Sequence, residues 1–390
     1  MTSKNVKRII SFILVFVLAF SVSVFAYAEN DETADNVVYE NEEDIPVLHS
    51  DPDDFVLDDN WKPYDPDLFE NDMPNRDETW IKKGSLKTVT NGDDSWRAQG
   101  FAVGTGYCYS IDCKLDETAH KLYRKNMNNN SDAELMTQSG SVDSLLTAND
   151  MTLATYTESN GTVHRYLYVM VASQASAVNS YIIKLEYDGL TYWQVARYNL
   201  SGKFYGIAKV KYYTNLLNVP MIQFLLRDNG SGFYTVAIQR AQTGTYSLTP
   251  THRFDITIPQ DYTNYKLEGI HYDSGKLYCA FFGYKTKIVN NEVVILSNHP
   301  KENAILVYDN ADTAISSIFV NTLTTNTNNI FVIQANTSDI VLFEIEGIGF
   351  PVNNPNLDCD RLWFTTNERT SAPSHDLIDG GIYADTQNIR

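Results

Sequence analysis

Two glutamates each stand directly before a Gly-Ile pair, in Glu268-Gly269-Ile270 and Glu346-Gly347-Ile348. Two carboxyls brought together across a channel can cleave a glycosidic bond, one acting protonated as general acid and the other ionised as base or nucleophile. The same pair could instead hold a hard cation. Near the C-terminus, Ser374-His375-Asp376 and Asp379-Gly380-Gly381 set a histidine among carboxylates, which makes His375 a candidate general base. No nucleophile accompanies it, because the chain has no Gly-x-Ser-x-Gly elbow. A loop histidine beside aspartate is also the ordinary composition of a solvated turn. The candidate catalytic residues are Glu268, Glu346 and His375, and no catalytic set is complete.

Other chemistries are excluded by what the sequence lacks. It has no HExxH, no Walker loop and no dinucleotide fingerprint. It has no CxxC and no Cys/His cluster at zinc spacing, so neither a structural metal nor a cofactor is expected. The repeated Asp51-Pro52-Asp53-Asp54-Phe55 and Asp65-Pro66-Asp67-Leu68-Phe69 are rich in carboxylates, but Phe55 stands where a calcium-binding loop needs an oxygen ligand. His271, a single histidine on a strand, is expected to pack or hydrogen-bond. The four cysteines, Cys108, Cys113, Cys279 and Cys359, allow three pairings between which sequence cannot choose. Cys108 and Cys113 lie five apart in a strand-like run, an odd separation that sets them on opposite faces.

The candidate carboxylates belong to a recurring unit, and the unit organises the chain from residue 79 onward. Its head is a polar residue, usually followed by Gly and an apolar residue: Gln99-Gly100-Phe101, Asn149-Asp150-Met151, Tyr205-Gly206-Ile207, Glu268-Gly269-Ile270 and Glu346-Gly347-Ile348. A turn, an aromatic strand and a third strand follow. The best copy runs through the Asp273-Ser274-Gly275-Lys276 turn to Leu277-Tyr278-Cys279-Ala280-Phe281 and on to Ala304-Ile305-Leu306-Val307-Tyr308. Short runs rich in Tyr, Ile, Val and Thr, broken by Asn, Gly and Asp, read as strands, and no long segment shows a 3.6-residue apolar period.

Heads 50, 56, 63 and 78 residues apart leave room for four strands and extended loops in each unit. Five heads predict an all-β, five-bladed β-propeller. The fifth unit runs out of sequence after its third strand, so the segment from Thr79 is expected to supply the missing outer strand and close the ring. If heads begin the innermost strands, Gln99, Asn149, Asp150, Glu268 and Glu346 ring one channel mouth and are the candidate ligand-binding residues. The competing structural role is that they bond backbone N–H groups of the neighbouring blade. Most of the 25 tyrosines are expected to fill the space between blades, with a minority free to stack on sugars or peptides.

Through this head, turn and aromatic-strand unit the chain resembles β-propeller proteins in general. The Glu268 to Phe282 unit and the Asn149-Asp150-Met151-Thr152 head also resemble secreted large bacteriocins of the helveticin J type. That resemblance implies a secreted β-propeller repeat protein, with an antibacterial activity as the functional expectation.

The N-terminus reads as an export signal. Lys4, Lys7 and Arg8 precede an apolar run from Ile9 to Val24, and Ala26-Tyr27-Ala28 presents small residues where a signal peptidase cuts. The run is shorter than the roughly 18–20 apolar residues that span a bilayer, so no membrane span is expected. From Glu29 to Glu78, 19 acidic residues face two basic ones, a composition that favours a disordered spacer. The expected organisation is a signal peptide at 1–28, an acidic spacer at 29–78 and a propeller at 79–390. With no basic patch, nucleic acid is not an expected partner. The expected protein is a secreted monomer, extracellular or associated with the cell wall, that binds a glycan or protein. A glycan-cleaving hydrolase and a bacteriocin-like protein are the alternatives.

Overall fold

The computed structural model describes residues 80–86, 96–114, 116–145, 147–172, 179–263, 265–283, 286–289, 292–295, 302–334, 340–352, 361–370 and 378–385. The expected signal peptide, the acidic spacer, His375 and Cys359 lie outside them. Among the described residues no helix is long and apolar enough to cross a membrane.

The strands form a five-bladed β-propeller. Blade I comprises Trp96–Val103, Tyr107–Lys114, His120–Asn126 and Glu134–Leu135. Blade II comprises Thr147–Thr157, Val163–Ala172, Tyr181–Asp188 and Thr191–Leu200, with Gly244–Leu248 added in parallel at its edge. Blade III runs Gly206–Thr214, Pro220–Arg227, Gly232–Gln239 and Thr251–Thr257, and Asn321–Thr324 joins it in parallel. Blade IV is Lys266–Asp273, Lys276–Gly283, Glu302–Tyr308 and Ile330–Gln334. Blade V is Ile340–Gly349, Trp363–Thr370 and Ile378–Asp385, completed by Trp80–Ser85. That N-terminal strand pairs antiparallel with the last one, Trp80 opposite Asp385 and Ser85 opposite Gly381. The ring therefore closes as the sequence predicts, and the edge that Ile378–Asp385 would expose is covered.

Period-two alternation explains why the strands read as unbroken apolar runs. In Val163–Ala172, Leu167, Val169 and Val171 pack toward blade I while Tyr166, Tyr168 and Met170 pack toward blade III. A blade between two others buries both faces, so neither set of alternate positions is free to be polar. Each of the five interfaces has its own apolar core, the last joining Phe101 and Cys108 of blade I to Trp363 and Ile382 of blade V. Cys108 and Cys113 fall into different interface cores, on opposite faces of one strand. Both are free thiols, and burial pushes each up to about 12. Tyr168, Tyr198, Tyr278, Tyr308 and Tyr383 are fully buried between strands.

All five heads lie on or at the start of innermost strands. In blades I, II, IV and V the pairing register slips at the head, between Ala98 and Phe101, Thr147 and Asp150, Leu267 and Gly269, and Ile345 and Gly347. Such a bulge adds a residue to one strand and re-aims side chains away from the regular pleat. The glycines that follow let the inner strands close on one another. A Cβ on Gly269 would sit 2.9 Å from Gly347 Cα, and one on Gly347 would sit 2.5 Å from Phe101 Cβ. Only glycine fits where the backbones of blades IV, V and I approach this closely.

Candidate functional site

Two side chains from each of blades IV and V come together on the starting side of the head glycines. Lys266 and Glu268 come from one inner strand, Glu344 and Glu346 from the next. Both pairs are spaced i, i+2, the period that sets alternate residues on one strand face. Lys266 Nζ lies 2.9 Å from Glu268 Oε1, with 37% of the lysine side chain and 7% of the glutamate side chain exposed. Burial pulls the Lys266 ammonium down, but Glu268, Glu344 and Glu346 outweigh it and hold the ammonium above its ordinary value. The Glu344 and Glu346 carboxyls hydrogen-bond each other. Asn367 Nδ2 donates to Glu346 Oε1 at 2.5 Å.

Burial and the charges of Glu344 and Glu268 raise Glu346 well above the usual carboxyl range. Glu344 is raised to about 7 by burial and by Glu268. Two like charges cannot share so small a desolvated space, so the Glu344–Glu346 pair retains a proton near neutrality while Glu268 faces a cation. One site thus presents an ammonium, a carboxylate and a carboxyl group that can donate. Sugar hydroxyls, which both donate and accept, match such a set.

The other head residues do different work. Asp150 is buried, and its two oxygens accept from Met151 N–H at 2.8 Å, Ile207 N–H at 3.1 Å and Ile270 N–H at 3.3 Å. One carboxyl thereby ties blade II to blades III and IV. Burial pushes it up to about 8, against the downward pull of those N–H donors and of the buried Arg227 guanidinium. Asn149 bonds within its own blade, to Thr147 and Ala172. Gln99 donates to the carbonyl of Ala98 at 3.1 Å. Of the residues expected to ring the mouth, Glu268 and Glu346 share one cluster, Asp150 binds backbone, and Gln99 and Asn149 bond locally.

Three members of the cluster escaped sequence reasoning. Lys266 and Glu344 carried a signal, since Lys266-Leu267-Glu268-Gly269 and Glu344-Ile345-Glu346-Gly347 are aligned copies with an ionisable residue two before the head glutamate. Asn367 carried none. It sits on the second strand of blade V, and besides Glu346 it takes Ala98 N–H at 2.9 Å, so it also locks blade V to blade I. His271, on the finishing side of the heads, packs its ring against Phe350 at 5.6 Å. Among the described residues no group of His, Cys, Asp and Glu is arranged to hold a metal ion.

No protein-family model matches the sequence, and no curated protein matches it. Solved structures similar in fold include a thermostable family-43 glycoside hydrolase, at 10% identity and a TM-score of 0.40 over 77% of this chain and 91% of that one. The arabinanase Arb43A of Bacillus subtilis is similar at 10% identity and a TM-score of 0.39, over 78% and 97%. The α-L-arabinofuranosidase PaAbf62A of Podospora anserina, solved with cellotriose, is similar at 8% identity and a TM-score of 0.43, over 80% and 98%.

Proposed function

We propose that this chain is a secreted glycan-binding protein that receives a saccharide where Lys266, Glu268, Glu344 and Glu346 converge. That convergence is the observation carrying the reading: four ionisable side chains from two adjacent inner strands meet around one point. Lys266 keeps over a third of its side chain exposed, so a ligand can reach the cluster. Charged groups held by one another are pre-oriented, and they lose little freedom when hydroxyls replace water on them.

One observation favours a second reading, a glycan-cleaving hydrolase. Glu346 holds a proton by burial and like charge while Glu268 is ion-paired to Lys266, and a split of this kind is how one site supplies both acid and base. The two readings separate in one experiment. The chain from Glu29 is incubated with cell-wall and plant polysaccharides beside a Glu268→Gln/Glu346→Gln variant whose fold is verified by circular dichroism. Retention of intact polymer by the wild type, weakened in the variant, supports binding. Release of soluble fragments by the wild type alone makes the protein a hydrolase. Retention unchanged in the variant rejects this cluster as the site.

A further inference from the structure

A concavity lies on the finishing side of the head glycines, beyond them from the carboxylate cluster. Its volume is about 320 Å³, within the roughly 300–1,000 Å³ typical of small-molecule sites. All five blades contribute, through residues such as Val103, Leu153, Lys209, His271 and Ile348. Among the described residues its charge is one-sided: Arg165, Lys209 and His271 line it, and no aspartate or glutamate does. Among the described residues neither Lys209 nor Arg165 has a carboxylate partner.

The walls are aromatic, with Tyr107, Tyr109, Tyr187, Tyr212 and Tyr272 all lining the space. Tyr212 is 38% exposed and fixed in place, its hydroxyl taking Thr155 N–H of the neighbouring blade at 2.8 Å. Arg240 lies 4.3 Å from the Tyr212 ring centre and bonds the carbonyl of the same Thr155 at 2.6 Å. Lys209 Nζ also lies over that ring, 5.3 Å from its centre, so the ring holds the cation at the cavity wall. The hydroxyls of Thr105, Thr152 and Thr155 complete the lining. Tyrosine walls, cations without a carboxylate partner and hydroxyl groups around one space describe the complement of a sugar ring that bears a carboxylate.

We propose that this cavity is a binding site for an acidic saccharide, a uronate whose ring lies among the tyrosines and whose carboxylate meets Lys209 and Arg165. The site is separate from the Lys266 cluster and does not depend on how that cluster acts.

Calorimetric titration of the chain from Glu29 tests it with four probes: digalacturonate, its dimethyl ester, neutral xylobiose and inorganic phosphate. Digalacturonate is expected to bind, with the ester weaker by about tenfold to a hundredfold, the worth of one charge-assisted hydrogen bond. Lys209→Met and Arg165→Met, which keep the apolar stems, should each weaken digalacturonate by about tenfold. Lys203→Met, outside the cavity lining, should leave its affinity unchanged, and the Glu268→Gln/Glu346→Gln variant reports any binding at the other cluster. Absence of digalacturonate binding, equal binding of the ester or of xylobiose, or phosphate binding as tight as digalacturonate would each overturn the proposal. Loss of binding in the glutamate variant but not in the Lys209 variant would move the ligand to the Lys266 cluster and overturn it equally.

Discussion

Asp150→Ala should be among the most damaging single substitutions in this protein, because the buried Asp150 side chain holds backbone groups together. Its carboxyl accepts three buried backbone N–H groups, of Met151, Ile207 and Ile270, on three different blades. Alanine orphans all three, at about 1–3 kcal/mol for each unsatisfied group, so the expected loss is at least about 3 kcal/mol. Against a total stability of about 5–15 kcal/mol this is a large share. Asp150→Asn has a milder route. The amide can turn its oxygen toward Ile207 and Ile270 and set its NH₂ against Met151 N–H, which leaves one donor unpaired and costs about 1–3 kcal/mol. Urea unfolding followed by tryptophan fluorescence measures both, provided the slope of the transition is unchanged. An alanine variant within about 1 kcal/mol of wild type, or an asparagine variant worse than alanine, would refute the view of Asp150 as the knot between blades.

Three further outcomes follow from the fold. Asp150 and Glu344 are raised by burial to about 8 and about 7, and Glu346 is raised further by burial and its neighbours. The folded chain therefore binds protons that the unfolded chain has released. Their contribution is fully present below about pH 4, the unfolded carboxyl range, and is lost as pH rises through 7 to 8. The urea midpoint should fall between pH 5.5 and pH 8.5, and Asp150→Asn should flatten that fall; a midpoint that rises across this window contradicts the assignment. Trp80, on the closing strand, stacks on Phe343 at 4.8 Å and meets Tyr383 edge-on at 4.8 Å. Trp80→Ala should cost about 3 kcal/mol, and deleting residues 80–85 should bare the edge of blade V and produce aggregates on size-exclusion chromatography.

The architecture was legible because a propeller repeats its instructions. Polar-Gly-apolar heads recur, aromatic strands follow each head, and the fifth unit stops one strand short, so blade number and closure by the segment from residue 79 were both written in spacing. The heads were legible for a steric reason, since Gly269 and Gly347 stand where two inner backbones touch. Local pattern could not assign roles among the heads. Asn149 and Asp150 are neighbours in one head, yet a bulge sends one side chain to its own blade and the other to Ile270, 120 residues away.

Protonation was equally out of reach of the sequence, because it depends on which charges tertiary packing sets side by side. The two copies of the Glu-Gly head look alike, but the residue two before the first is a lysine that pairs with Glu268, while the residue two before the second is a glutamate that shares a proton with Glu346. Asn367 enters from another strand, and the basic, tyrosine-lined cavity draws on all five blades. Sequence alone determined that five units would form and close into a ring, because strand period and glycine placement are local properties of the chain. Tertiary structure decided which polar groups meet on each side of the head glycines, because desolvation and charge act through space between residues that the sequence keeps far apart.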